Sequence, residues 1–167
     1  EAREAYGERG EELSRSYRCL YATGAWLVAV AVSPRSGSVS VTDAVCILDA
    51  GDRASDQLVR GQVEGSFAQG LGFSLTEWLP QGPLGGQRIT NFDSYALPRL
   101  SDMPARIETV FVELEEGANV VNPIGQGDPD APPRARKKGI GEVAITPVAA
   151  AIANAIFDSF SALPSGR

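Results

Sequence analysis

Two apolar segments joined by a short turn constrain the fold of this chain more than any other feature. Residues 25–32 form a continuous apolar run, which is long enough for a β-strand and too short for a typical helix. Ser33, Pro34 and Gly37 follow this run, and these residue types favour a turn. The sequence therefore predicts an antiparallel β-hairpin. Alternate positions of its second segment are apolar, as expected for a half-buried strand: Val39, Val41, Val45 and Ile47.

A helix with one apolar face is predicted over residues 57–75, with Asp56 as its N-cap. Each glycine inside a helix costs ~1 kcal/mol relative to alanine, so a close neighbour is expected on the glycine side. That neighbour is either the hairpin, packed tightly, or a bound cofactor that contacts Gly61 and Gln62. The apolar residues recur every four positions, at Val59, Val63, Phe67, Leu71 and Leu75. The glycines in or beside them are Gly61, Gly65, Gly70 and Gly72.

A second helix is predicted near the end of the chain. Thr146 suits its N-cap, and Pro147 suits its first helical position. Alanines fill most positions outside its apolar stripe, so we expect this helix to be buried on most sides. Residues 80–104 have the proline and glycine content of a loop, and residues 107–114 read as a strand. The fold class predicted is α+β, with the hairpin and further strands packed against a Gly-rich and an Ala-rich helix. The apolar stripe is Val148, Ile152, Ile156 and Phe160.

The length of 167 residues suits a single domain with a real core. Residues 1–18 are charged and are predicted to be a polar lead-in, unlike a signal peptide. No segment reaches the ~18 apolar residues of a membrane span. Cys19 and Cys46 fit no metal-binding or redox spacing, and we expect both to be small buried hydrophobes. Sparse cysteines favour a reducing compartment, so the predicted location is cytoplasmic.

Charge and composition exclude several chemistries. The net charge of −6 argues against a nucleic-acid partner, because phosphate binding needs concentrated Lys and Arg. The one basic cluster, residues 134–138, is flanked by acids and prolines and is read as a local anion contact or a solvated loop. The chain has no histidine, which rules out a Ser-His-Asp triad, a histidine metal site and a histidine base within it. No protein-ligated metal site is predicted.

Glu142 is the candidate for chemistry. It ends a turn that contains Gly139 and Gly141, just before the Ala-rich helix. A carboxylate at such a position can act as a general base. The alternative is that Glu142 is a first-turn acid that complements the helix dipole.

Several strings, in order along residues 17–160, resemble the C-terminal part of the molybdenum-binding subunit of the xanthine oxidase family, the molybdenum hydroxylases. The resemblance implies that residues 19–167 are the C-terminal portion of a molybdopterin-binding domain and are incomplete on their own. Five motifs in register make this resemblance specific. The strings are SPRSGSVSV at the hairpin, GQVEGSFAQGLG from Gly61, LTE from Leu75, YALP from Tyr95, DMP from Asp102, KGIGE from Lys138 and AIANAI from Ala151.

The resemblance implies a molybdopterin-type molybdenum cofactor, in its simple form or as the cytosine dinucleotide. Glu142 matches the general base of the family, and Gln62 matches a glutamine that hydrogen-bonds the cofactor. The reaction implied is hydroxylation of an electron-poor carbon in an N-heterocycle such as a purine, or in an aldehyde. Oxygen would come from water and hydride would pass to the sulfido ligand of molybdenum. Further cofactor contacts are implied at Gly61, Lys138, Gly139, Ile140 and Gly141.

The resemblance also implies partners, because the family's upstream half of the molybdenum domain has no counterpart here. We expect a hetero-oligomer with the remaining part of the molybdenum subunit and with iron–sulfur and flavin subunits, which carry the clusters and FAD. Three departures from the family pattern stand out: residues 51–56, Val143 where proline is usual, and an apparent insertion at 126–136. The missing half leaves one alternative, a non-catalytic binding or assembly module that keeps the fold.

Overall fold

The computed structural model describes residues 22–113 and 138–161. The predicted lead-in at 1–18 and the apparent insertion at 126–136 lie outside these ranges. The described elements run β1 (Thr23–Val32), β2 (Val39–Asp49), α1 (Asp56–Leu71), β3 (Arg106–Phe111) and α2 (Val148–Ser161). This composition confirms the predicted α+β class.

A three-stranded sheet with the order β1–β2–β3 organises the fold. β1 and β2 are antiparallel, as predicted, whereas β3 joins the other edge of β2 in parallel. The turn between β1 and β2 closes with a hydrogen bond from Ser33 N to Ser38 O of 2.8 Å. Gly37 has a φ of 71° there, a left-handed conformation that favours glycine.

A β-bulge in β2 changes which side chains face the core. Ala29 pairs with Asp43 and Val30 pairs with Val41, so Thr42 is an extra residue in β2. Because one extra residue reverses the alternation of side chains, the buried face switches from odd to even positions. The prediction that Val45 and Ile47 share a buried face with Val41 is therefore wrong. The buried residues of β2 are Val41, Ala44, Cys46 and Leu48.

Both helices lie on the inner face of the sheet, α2 mainly against β1 and α1 against β3. The N-cap of α1 is Ser55 rather than the predicted Asp56, since the Ser55 hydroxyl accepts a hydrogen bond from Leu58 N. A π-helical turn over Gly72–Thr76 follows the α-helix, so the last residue of the predicted stripe lies beyond α1. The predicted apolar face is otherwise confirmed, because Val59, Val63, Phe67 and Leu71 are all buried.

Helix α2 begins one residue after Pro147, whose carbonyl accepts a hydrogen bond from Ala151 N at 3.0 Å. Val148 and Ile152 are buried, but Phe160 is 58% exposed and the alanine face is largely open. The expectation of burial on most sides is thus wrong for the described chain, which covers one face of α2. None of the helices described is both long enough and apolar enough to cross a membrane.

The core lies between the sheet and the two helices. Trp26 of β1 packs against Phe67 of α1, with ring centroids 4.8 Å apart. Gly70 of α1 packs closely against Val148 of α2, whereas Gly61 and Gly65 have open space beside them. Tight packing against the hairpin therefore does not explain the two glycines nearer the start of α1.

Candidate functional site

The turn over residues 138–142 lies beside the end of β2 and leads toward the start of α2. Ile140 packs against the core, while Gly139, Gly141 and Glu142 are exposed. A Cβ atom built on Gly139 or Gly141 would meet no described atom within 4 Å. The turn thus presents open backbone on one side and is held by one apolar side chain on the other.

Lys138 anchors the upstream end of this turn to β2. Its ammonium group forms an ion pair with Asp49, and the two side chains are only 8% and 15% exposed. The backbone N–H of Lys138 donates a 3.3 Å hydrogen bond to Ala50 O. The start of the turn is therefore held by both its side chain and its backbone.

Trp26 anchors the downstream end. Its indole N–H donates a buried hydrogen bond of 2.7 Å to the carbonyl of Ala144, across 118 residues of sequence. Ile145 N also donates to Glu142 O at 3.2 Å. Because the ring of Trp26 contacts Phe67, this residue links the turn to α1 as well as to β1.

Glu142 is exposed and stands between these two anchors. Helix α2 starts only at Val148 and has no acidic residue in its first turn. The alternative interpretation of Glu142 as a first-turn acid is therefore wrong. Within the described ranges, no side-chain hydrogen bond or ion pair involves the Glu142 carboxylate, so it is open to another molecule.

Gly61 and Gln62 of α1 are both exposed, next to the buried Val63. Nothing described approaches within 4 Å of a Cβ built on Gly61. The structure thus gathers Lys138, Ile140 and Glu142 in one turn and places Gln62 on a separate element. Trp26 connects the turn to α1, because it hydrogen-bonds Ala144 and contacts Phe67.

A cavity of about 240 Å³ lies between the turn and the N-terminal end of α1. Arg53, on its wall, donates to Asp56 at 2.8 Å and to Glu113 at 2.5 Å, and its guanidinium lies 4.1 Å from the centroid of the Phe111 ring. The hydrogen bond to Asp56 is the main cause that raises the pKa of Arg53. The positive charge of Arg53 is thus already paired with two carboxylates of this chain. The cavity is lined by Ala50, Asp52, Arg53, Ala54, Ser55, Leu58, Val59, Lys138 and Ile140.

Two other motif segments meet through a side-chain hydrogen bond. The Tyr95 hydroxyl donates a hydrogen bond to the Glu77 carboxylate, which raises the pKa of Tyr95. A second cavity, also about 240 Å³, lies beside Tyr95 in the loop over residues 79–95. These contacts join the segment around Glu77 to the segment that begins at Tyr95.

Cys46 behaves as the predicted small hydrophobe. It is buried in β2, and burial raises the pKa of its thiol to about 11. Cys19 lies outside the described residues. Over residues 22–113 and 138–161, no group of three or more Cys, Asp or Glu side chains is placed to hold a metal ion.

The sequence interpretation missed Asp49 and Trp26. Each contacts the turn across a long sequence separation, 89 residues for Asp49 and 118 for Trp26. The single sequence carries no local pattern that marks such a contact. A buried Trp usually has a hydrogen-bond partner for its N–H. The sequence therefore predicts that Trp26 has a partner, but it does not identify that partner as Ala144.

The family of the chain follows from comparison with known proteins. The profile of the molybdopterin cofactor-binding domain matches residues 1–104. The chain is 34% identical over 140 residues to a probable xanthine dehydrogenase subunit from Bacillus subtilis strain 168, a match that covers 84% of this chain and 17% of that protein. The chain therefore belongs to the molybdopterin cofactor-binding domain family. It spans about a sixth of the length of this relative.

Solved structures agree with this assignment. The aldehyde oxidoreductase of Desulfovibrio desulfuricans matches with a TM-score of 0.64 and 29% identity, over 83% of this chain and 13% of that one. The quinoline 2-oxidoreductase of Pseudomonas putida 86 matches with a TM-score of 0.64 and 26% identity, over 79% of this chain and 15% of that one. The predicted resemblance to molybdenum hydroxylases is confirmed.

Proposed function

We propose that this chain is the C-terminal part of the molybdenum-binding portion of a molybdenum hydroxylase, with Glu142 as its general base. The observation that carries the proposal is the geometry of one turn. An exposed carboxylate follows two open glycine positions and lies between two fixed anchors, Lys138 on one side and Ala144 on the other. A general base needs this combination, since it must be accessible to the reactant and also held in position.

The residues present fit a pterin-type cofactor. Gly61, Gly139 and Gly141 leave open space in which another molecule can approach the backbone. The exposed Gln62 amide can donate and accept hydrogen bonds at once, as a pterin ring requires. We propose that Gly61 and Gln62 on α1, together with the backbone of Lys138, Gly139, Ile140 and Gly141 in the turn, contribute this chain's share of the cofactor site.

When bound, the molybdenum cofactor would supply an activated oxygen nucleophile and would take the hydrogen of the substrate carbon as hydride, with the two electrons of the broken C–H bond. The Glu142 carboxylate would accept the proton that this oxygen nucleophile loses. Gly139 and Gly141 keep side chains away from the approach to this carboxylate, and Ile140 fixes the turn to the core.

The substrate class proposed is a small electron-poor N-heterocycle or aldehyde, because the relatives are named for xanthine, quinoline and aldehyde oxidation. The partners proposed are the rest of the molybdenum-binding portion, an iron–sulfur subunit and a flavin subunit, which would take the electrons onward. We place the complex in the cytoplasm because the chain has only two cysteines.

The test is Glu142→Gln in the assembled enzyme. We expect turnover to fall by at least ~10², the scale of general-base catalysis, while molybdenum content stays unchanged. Glu108→Gln is a matched control, since Glu108 is partly exposed on β3 and pairs only with Arg106 among the described residues. Near-normal turnover in Glu142→Gln would refute the assignment of the base. Molybdenum well below one atom per natively purified complex would favour a non-catalytic assembly module instead.

A further inference from the structure

We propose that Asp49 and Lys138 act as a positioning pair that fixes the turn carrying Glu142. This inference rests on the proposed role of Glu142 as a general base. It assigns the Lys138 ammonium group to Asp49 and not to the cofactor. It also makes Asp49, which no sequence pattern marked, a residue that acts on the reaction through Glu142.

The first argument is how the Asp49 carboxylate is held. One of its oxygens accepts a 3.1 Å hydrogen bond from Gly51 N, and the other pairs with the Lys138 ammonium. Both carboxylate oxygens therefore have fixed partners. Asp49 is the last residue of β2, the central strand of the sheet, so the carboxylate is a rigid point.

The second argument is the burial of the pair. The Lys138 side chain is 8% exposed and the Asp49 side chain 15% exposed. Removing one member of a buried ion pair leaves an uncompensated charge away from water, which is strongly unfavourable. Asp49 and Lys138 are therefore more stable paired than separated. The pair between Arg106 and Glu108 differs in this respect, because both of its side chains are exposed to water.

The third argument is what the turn lacks. Gly139 and Gly141 have no side chains, and among residues 139–142 only Ile140 packs against the core. Glycine leaves the backbone more freedom than any other residue. The downstream end is held by Trp26, whereas the described contacts of the upstream end are those of Lys138 and Ile140. Loss of the ion pair would leave the upstream end held only by the 3.3 Å hydrogen bond from Lys138 N to Ala50 O and by Ile140, and would loosen the side of the turn that leads into the base.

The experiment uses Asp49→Asn, Lys138→Met and the double variant in the assembled enzyme. Asn keeps an acceptor for Gly51 N, and Met keeps the length of the lysine stem. Because a misplacement of about 1 Å can cost ~10²-fold in rate, we expect each single variant to lower kcat by ~10- to 10²-fold. KM and molybdenum content should stay as in the wild type. The double variant should lose no more than the worse single variant.

Two further measurements separate positioning from folding. A positioning residue acts through the base, so Asp49→Asn should lower kcat no further in a Glu142→Gln background. Asp49→Glu keeps the ion pair but moves its anchor by one methylene, and should keep the thermal midpoint while lowering kcat severalfold. Arg106→Gln, which removes the exposed pair on β3, should leave kcat unchanged.

Several outcomes would refute the proposed positioning role of Asp49 and Lys138. If only Lys138→Met loses molybdenum, the ammonium group binds the cofactor instead. Wild-type kcat in both single variants refutes the proposal, as does wild-type kcat in Asp49→Glu when Asp49→Asn fails to assemble. An additive loss in the Glu142→Gln background would indicate general damage. If Glu142→Gln itself keeps its turnover, the proposed function fails, which is a separate result.

Discussion

The backbone of Gly70 lies against the side chain of Val148, so that a Cβ atom on Gly70 would come 2.5 Å from the Val148 Cβ. Separations below 3.0 Å are not tolerated without movement of one partner. Val148 is fully buried at the start of α2. The contact of these two residues therefore sets how closely α1 and α2 approach, and with it where α2 leaves the turn that carries Glu142.

The first prediction is that Gly70→Ala destabilises the assembled molybdenum subunit. Overpacking of a core costs ~1–3 kcal/mol, which exceeds the ~1 kcal/mol that alanine gains over glycine inside a helix. Gly65→Ala is the matched control, because Gly65 lies in the same helix with open space beside it. Thermal unfolding should show a lower midpoint for Gly70→Ala and an equal or higher one for Gly65→Ala. Equal midpoints for the two variants would contradict the proposed packing.

The second prediction concerns Trp26. Replacing it with Phe removes the N–H donor and leaves the Ala144 carbonyl buried without that partner. An unsatisfied buried acceptor costs ~1–3 kcal/mol, and the turn that presents Glu142 loses its downstream anchor. We expect both the thermal midpoint and kcat of the assembled enzyme to fall. Trp78→Phe is the control, since Trp78 is 72% exposed and should tolerate the change. Unchanged kcat in Trp26→Phe would show that the anchor does not affect the base.

Sequence periodicity predicted the elements of the fold well, because their burial follows simple spacing. The four-residue repeat of α1 is buried as expected, and the hairpin pairs as expected. Prediction failed in β2, where one extra residue changes the alternation of buried and exposed side chains. The insertion of Thr42 into β2 reverses its buried face, and a single sequence gives no sign of a bulge. Prediction also failed for α2. An Ala-rich sequence predicts burial on most sides of a helix, but it does not show whether this chain supplies the covering surface.

The candidate site was predicted only in its local part. The turn with Gly139, Gly141 and Glu142 is visible in the sequence, since its residues are adjacent. Its anchors are not visible, because Asp49 and Trp26 are far from the turn in sequence and the folded sheet brings them to it. The predicted cofactor role of Lys138 came from a motif, and a motif does not show that the ammonium group already has a partner within the fold.

The third prediction uses the buried thiol of Cys46. Its pKa is raised by burial from 9.0 to about 11, so the folded state retains a proton that the unfolded state loses between these values. Stability from this group is therefore complete below pH 9 and falls as the pH rises toward 11. We expect the thermal midpoint of the wild type to drop more steeply between about pH 8.5 and 10.5 than that of Cys46→Ala. Parallel curves for the two proteins would contradict the effect. In the folded complex at about pH 8, Cys46 should also resist alkylation.

The last prediction is that this chain, expressed alone, does not form a well-behaved monomer and holds no cofactor. The sheet face opposite the helices carries Leu27, Ile47 and Val110, which are 63%, 37% and 43% exposed. Ile47 pairs with Val110 and with Ala25, which shares a face of β1 with Leu27, so these side chains form one apolar surface. Interfaces between permanent partners bury on the order of 2,000–5,000 Å² and are strongly apolar. We therefore expect the rest of the molybdenum-binding portion to cover this surface.

Expressed alone, the chain should aggregate or bind a hydrophobic dye. Replacing both Leu27 and Ile47 with Gln should increase the soluble yield and reduce dye binding, and should weaken assembly with the rest of the molybdenum-binding portion. Leu84→Gln is the control, because Leu84 is fully exposed in a turn and belongs to no strand of the sheet. Size-exclusion chromatography and dye fluorescence measure both effects. A monodisperse, cooperatively unfolding monomer from the unmodified chain would show that the sheet face needs no partner, and the assignment of this surface to an interface would then be wrong.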